Sequence, residues 1–195
     1  MTRQGNAKGR VVIVSGPSGV GKSTICREAV KQLGNAFLSV SVTTRRRGPG
    51  ETNGRDYWFI SEKEFRERLE KGLFVEHAKV FNHWYGTPKD KVDEALNAGK
   101  TVILEIDVQG GKQVKAVYPD AIMIFILPPS QRTLADRLGR RGRDDPEIAK
   151  ERIGGATGEI AAAWQYYHNM VINEDLQQAV AEVVQIIQVG PPGAG

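Results

Sequence analysis

Gly16-Pro17-Ser18-Gly19-Val20-Gly21-Lys22-Ser23 is the stretch whose reading decides the fold. It satisfies G-x-x-x-x-G-K-[ST] at every position. Before it stands a short apolar run, Val11-Val12-Ile13-Val14, of the kind found in buried parallel strands. After it comes a helical pattern from about Lys22 to Leu33. In a strand, glycine-rich turn and helix, the glycines let the backbone wrap around phosphate oxygens. Successive N–H groups and the helix N-terminus then supply fixed partial positive charge. Lys22 is placed to reach β- and γ-phosphates, and Ser23 to coordinate Mg²⁺. The motif predicts a bound nucleoside triphosphate without saying what accepts its phosphoryl group.

Working outward, two more apolar runs read as buried strands, Thr101–Ile106 and Ala121–Leu127. Helical segments lie between them. One of these is predicted to start with Thr87 as cap and Pro88 in the first turn, and to stop at Gly99. Strands alternating with helices imply an α/β fold with a central parallel sheet flanked by helices. The chain closes with a helix to about His168, a strand over 170–172 and a helix from Asp175 to Ile187.

Residues 37–86 follow a different pattern. Short β-prone pieces at 38–42, 57–60, 74–80 and 83–85 surround a helix opened by Ser61 and Glu64 as a capping box and ended by Gly72. This predicts a small mixed subdomain inserted into a core made of 10–36 and 87–189. A third region, about 131–146, is dense in arginine, with Arg132, Arg137, Arg140, Arg141 and Arg143 within twelve residues. Guanidiniums so close repel one another, and an anion among them relieves that cost. Gly154, Gly155 and Gly158 weaken the helix that follows, each by about 1 kcal/mol against alanine.

The chain resembles the guanylate kinases from about Arg10 to Ile187. The motifs that carry the likeness are the phosphate loop through Thr24, Ser39-Val40-Ser41-Val42-Thr43-Thr44-Arg45, Pro49-Gly50-Glu51, Gly54-Arg55-Asp56-Tyr57, Glu76-His77-Ala78, Trp84-Tyr85-Gly86-Thr87 and Ile106-Asp107-Val108-Gln109-Gly110. The resemblance implies ATP-dependent phosphorylation of GMP or dGMP with Mg²⁺. It implies that Arg45, Tyr57 and Tyr85 hold the GMP phosphate and that Ser41, Glu76, Thr87 and Asp107 hold the guanine. Arg137, Arg141 and Arg152 would be the phosphate-binding arginines of an ATP lid, and Asn173 would contact adenine. The chemistry agrees. A carboxylate accepts from guanine N1–H and its exocyclic amine but would face adenine N1 unpaired.

The family's second phosphate-binding arginine is missing, since Gly48 stands in its place. Arg47, one residue short, is expected to supply that contact, with Arg46 pointing away. Two other readings compete: a P-loop kinase of another phosphorylated acceptor, such as a sugar phosphate, and a non-catalytic module that binds phosphorylated peptides. The guanine-reading set argues against the first, and the intact phosphate loop and lid arginines against the second.

With 195 residues, 40% hydrophobic and 26% charged, the chain has the composition of one globular domain. Its +4 net charge is too small to indicate a nucleic-acid partner. The single cysteine, Cys26, excludes an internal disulfide and suggests a reducing, cytoplasmic setting. No apolar run approaches the ~18 residues of a membrane span. A disordered basic arm is expected over 1–9 and a flexible tail over 190–195. His77 and His83 have no metal-ligand spacing and receive no role.

Overall fold

The computed structural model describes residues 9–80, 82–140 and 146–190. The expected arm and tail, apart from Gly9 and Gly190, lie outside the described residues. The central strand β1 (Arg10–Ser15) is apolar enough to be buried from Val11 onward. It runs into the phosphate loop and then α1 (Lys22–Leu33). Around β1 a five-stranded sheet forms in the order β2-β7-β1-β8-β9, from β2 (Ala36–Leu38), β7 (Thr101–Glu105), β8 (Ile122–Leu127) and β9 (Asn169–Ile172). Every pairing in it is parallel. From β1 the chain goes out to β2 on one side, and the β7-to-β8 crossover later carries it past β1 to the other, so the loop sits at a topological switch point, where open α/β sheets bind ligands.

Period-two alternation along β1 builds two cores. Val12 and Val14 face Ile25, Cys26 and Ala29 of α1 and Val180 and Val183 of α7 (Leu176–Val189). Val11 and Ile13 face Val92 of α3 (Lys89–Asn97), Val114 of α4 (Val108–Val117) and Tyr167. The remaining helices are α2 (Glu62–Glu70), α5 (Gln131–Arg140) and α6 (Pro146–Ala163).

A second, mixed sheet has the order β4-β3-β6-β5, from β3 (Val42–Thr43), β4 (Trp58–Phe59), β5 (Phe74–Val80) and β6 (His83–Pro88). Fully buried Phe65 of α2 stacks on Phe74 and Trp84 beneath it, at centroid distances of 4.6 and 5.7 Å. The strand expected over 38–42 is two strands in two sheets. The chain leaves the core sheet where Ser39 N–H reaches Ile103 O, and joins the second sheet at Val42, opposite Gly86. Ser61 caps α2 by accepting from Glu64 N–H, but the Glu64 carboxylate pairs with Arg68 instead of completing the capping box.

Helix α6 is continuous through Gly154, Gly155 and Gly158, and an added Cβ at any of the three would meet nothing within 4 Å. Gly111 of α4 differs. A Cβ there would overlap the Tyr167 hydroxyl, which donates to Ser15 Oγ at 2.6 Å. The same substitution should therefore act with opposite sign in the two helices. Gly155→Ala should stabilise by about 0.5–1 kcal/mol, and Gly111→Ala should destabilise by about 1–3 kcal/mol despite alanine's better helix propensity. Urea denaturation midpoints check both, and shifts of the same sign would contradict this account.

Candidate functional site

The donor side begins where β1 ends. Gly16 and Gly21 adopt φ of 148° and 105°, and a side chain at either would also overlap a neighbour, the Ile126 carbonyl oxygen at Gly16 and the Asn173 amide at Gly21. Helix α1 starts without a side-chain cap, so its first turn presents backbone N–H groups to the loop. Lys22 Nζ donates to the carbonyls of Gly16 at 2.6 Å and Pro17 at 3.1 Å, inside the ring that the loop makes. Ser23 Oγ donates to Glu105 Oε1 at 2.7 Å. Sequence reasoning passed over Glu105. The available signal was an acid at the carboxyl end of an apolar strand that pairs with the loop's own strand, Val14 opposite Glu105.

Two residues expected to touch ATP are bonded to the backbone of the loop and its surroundings. Asn173 is 5% exposed, and its amide donates to Val20 O at 2.7 Å. Arg137 donates to Val20 O at 3.2 Å and to Asn173 O at 3.0 Å. Thus Arg137 of α5 is docked on the phosphate loop. Arg141 lies outside the described residues, as does the side chain of Arg152.

The opposite wall is built on β5, β6 and the start of α4. Glu76 is 3% exposed and accepts from Thr87 Oγ1 at 2.6 Å. Thr87 is therefore not the cap of α3: β6 runs on through Pro88, which takes the N-cap position without a side-chain bond. A buried carboxylate is the stronger acceptor for that hydroxyl. The other Glu76 oxygen packs against Gly110, where an added Cβ would lie 2.5 Å from it. Asp107 caps α4 by accepting from Gly110 N–H at 2.7 Å. Burial pushes the Glu76 carboxyl up to about 7, aided by the Asp107 charge and opposed by the Thr87 hydroxyl and backbone N–H.

Tyr57 and Tyr85 meet edge to face with centroids 5.8 Å apart. Burial, with the nearby Glu105 charge, pushes the Tyr57 phenol well above its usual value, so it remains a hydrogen-bond donor. Arg45 lies 5.5 Å over the Tyr57 ring and is held by Glu51 through two bonds of 2.8 and 3.0 Å. The Glu51 bond, with the neighbouring Tyr85 and Glu51 charges, raises the Arg45 guanidinium against the opposing effect of burial.

These groups line two cavities of about 550 and 200 Å³ that share Ser18, Ser23, Ser41, Tyr57, Tyr85 and Glu105, forming one cleft. The smaller cavity sets Lys22 against Glu76 and Asp107. The larger holds Arg45, and Arg46 rather than Arg47 lines it. Thr87 and Asn173 line neither cavity, being buried behind the wall. Glu159 of α6, which the sequence did not single out, reaches the cleft beside Lys22. Burial raises its carboxyl, while the Lys22 charge opposes that.

The family model for guanylate kinase matches residues 8–189. A guanylate kinase of Carboxydothermus hydrogenoformans is 45% identical over 92% of this chain and 88% of its own length. One from Clostridioides difficile is 43% identical over 92% and 87%. The crystal structure of the Anaplasma phagocytophilum guanylate kinase superposes with a TM-score of 0.78 at 30% identity, covering 94% of this chain and 86% of that one. A match across nearly the whole chain, on a fold whose cleft sets a phosphate loop against the buried Glu76 and neighbouring Asp107, places this protein in the guanylate kinase family.

Proposed function

We propose that this chain transfers the γ-phosphoryl group of ATP to GMP or dGMP, giving ADP and GDP or dGDP. The observation that carries the reading is the single cleft in which Lys22 and Ser23 face Glu76, Asp107, Tyr57 and Tyr85. ATP would enter over residues 16–24. GMP would place its base against Glu76 and Asp107, beside Ser41, and its phosphate toward Arg45, Tyr57 and Tyr85. Thr87 would hold Glu76 in place from behind. In this proposal residues 37–86 act as the acceptor subdomain and about 131–146 as the lid. Family membership weighs against the sugar-phosphate and peptide-binding readings.

An oxygen of the GMP phosphate attacks the γ-phosphorus in line. The bond from that phosphorus to the β–γ bridging oxygen breaks, and ADP leaves with its electron pair. The nucleophile is already an anion, so no general base is required, and His77 and His83 remain outside the mechanism. Catalysis lies in holding two polyanions in line and meeting the spread charge of a loose transition state. Lys22 would supply that charge from within the loop, with Arg137, Arg141 and Arg152 proposed to add theirs.

The Ser23 hydroxyl beside the Glu105 carboxylate is a pair of hard oxygen donors, the set that suits Mg²⁺. When bound with ATP, the ion would neutralise charge on the β- and γ-oxygens. We place the reaction in the cytoplasm, a setting that the free, buried Cys26 suits. Among the described residues no helix is long and apolar enough to cross a membrane.

ADP formation with GMP, AMP, UMP and CMP tests the reading, with GMP or dGMP expected to be used far better than the others. Equal turnover of AMP would overturn it. The pH dependence adds a sharper check. An unliganded Glu76 near 7 is protonated at lower pH, and guanine's two donors need the ionised form. GMP affinity should fall as pH drops below about 7, approaching tenfold per pH unit, and level off above. The acceptor phosphate, itself titrating near 6, adds its own loss. Glu76→Gln should remove only the Glu76 part and narrow the preference over AMP, and a variant with the parent's pH profile would contradict the assignment. Lys22→Ala should lower kcat by about 10²–10³ or more while calorimetry finds GMP affinity nearly unchanged. A large loss of GMP binding would mean that the two halves of the cleft are not separable.

A further inference from the structure

The larger cavity carries more positive charge than its paired residues use. Four guanidiniums line it, from Arg27, Arg45, Arg46 and Arg55. Arg45 is met by both oxygens of Glu51. Arg27 and Arg55 share the carboxylate of Asp56, at 2.7 and 3.0 Å. Against the upward push of burial, the Thr52 N–H and these two guanidiniums hold Asp56 down to about 2. Three of the four are therefore anchored to carboxylates. Arg46 is the exception: among the described residues its guanidinium has no hydrogen bond or ion pair.

Local geometry explains why Arg46 faces the cavity and its neighbour does not. Arg45 Nη1 donates to Arg46 O at 2.8 Å, and the chain bends at Arg45, which breaks the alternation an extended strand would impose. Gly48, three residues after Arg45, brings no side chain. Its N–H donates to Glu51 Oε2 at 2.7 Å, and a Cβ there would lie only 3.1 Å from that oxygen. Glu51 thus fills the space beside Gly48, and both of its oxygens meet Arg45. A phosphate dianion entering beside Arg45 meets a cation already compensated by Glu51, and the remaining charge must come from a guanidinium free to turn.

We propose that Arg46 is the second phosphate-binding cation of the acceptor site, the role that sequence spacing assigned to Arg47. The assignment rests on the reading of this cleft as the GMP site. It is specific to the phosphate, so it separates GMP from guanosine.

Calorimetry with GMP, and inhibition of the kinase reaction by guanosine, test it on the parent, Arg46→Ala, Arg46→Lys and Arg47→Ala. Arg46→Ala should raise the GMP dissociation constant about tenfold or more, the effect of a lost charge-assisted hydrogen bond. Its guanosine inhibition constant should stay within about twofold. Arg46→Lys should recover part of the loss, and Arg47→Ala should bind GMP like the parent. The assignment falls if Arg46→Ala binds GMP as the parent does, if it weakens guanosine equally, or if Arg47→Ala carries the larger loss. A parent that does not bind GMP overturns the acceptor reading itself, and this assignment with it.

Discussion

The carbonyl of Val20 is where the donor half of the molecule is fastened. A loop that turns its N–H groups inward toward phosphate must turn carbonyls outward, and an outward carbonyl under a helix-packed sheet needs a donor. Val20 O receives two, the Asn173 amide and the Arg137 guanidinium. Asn173 follows the edge strand β9, and Arg137 belongs to α5, so one oxygen ties the loop to the far edge of the sheet and to α5. The same close approach removes any room for a side chain at Gly21. The loop is pre-formed by contacts outside itself, which is what lets it act as a rigid set of donors rather than one ordered by the ligand.

The acceptor half rests on a different kind of constraint. A carboxylate as buried as Glu76 is costly unless its oxygens are met. The chain meets one with Thr87 and leaves the other against a helix turn that carries no Cβ, at Gly110. The cost shows as a carboxyl raised to about 7. A ligand with two adjacent donors removes that cost, and one without them does not. Selectivity then arises from the protein's own unmet need more than from any added contact.

Local features were legible in the sequence and relational ones were not. The phosphate loop could be read because strand, turn and helix are contiguous and glycine is required there by backbone shape. The cap at Ser61 was legible for the same reason. Thr87 was misread as a cap, because a hydroxyl before proline carries no trace of a buried carboxylate eleven residues away. The division of 38–42 between two sheets depends on partners at Ile103 and Gly86 that no local pattern reveals. Glu105 was overlooked because its meaning comes from Ser23, eighty-two residues distant. The family likeness pointed to Ser41, Tyr57, Glu76, Tyr85 and Asp107, which line the cleft, and to Asn173, whose amide is bonded to Val20 O.

The two halves are joined by attachments of unequal strength. On one side β5 meets α4 through paired bonds between the His77 backbone and the Gln113 amide, at 2.7 and 3.2 Å, next to the buried Glu76 and Gly110 contact. On the other, Arg27, one turn beyond Ser23 on α1, reaches Asp56 beside Tyr57 at 2.7 Å, with the arginine side chain 43% exposed. Ion pairs open to water contribute only about 0–1 kcal/mol and weaken with salt. All three of these bonds are exposed, but the first two are directional backbone–amide bonds beside the buried Glu76, whereas the third is an ion pair that can exchange partners. For an in-line transfer this is the useful asymmetry. In the proposed reading, the wall that carries Glu76 keeps its register against the core, while the charges around Arg27 and Asp56 stay free to follow a ligand.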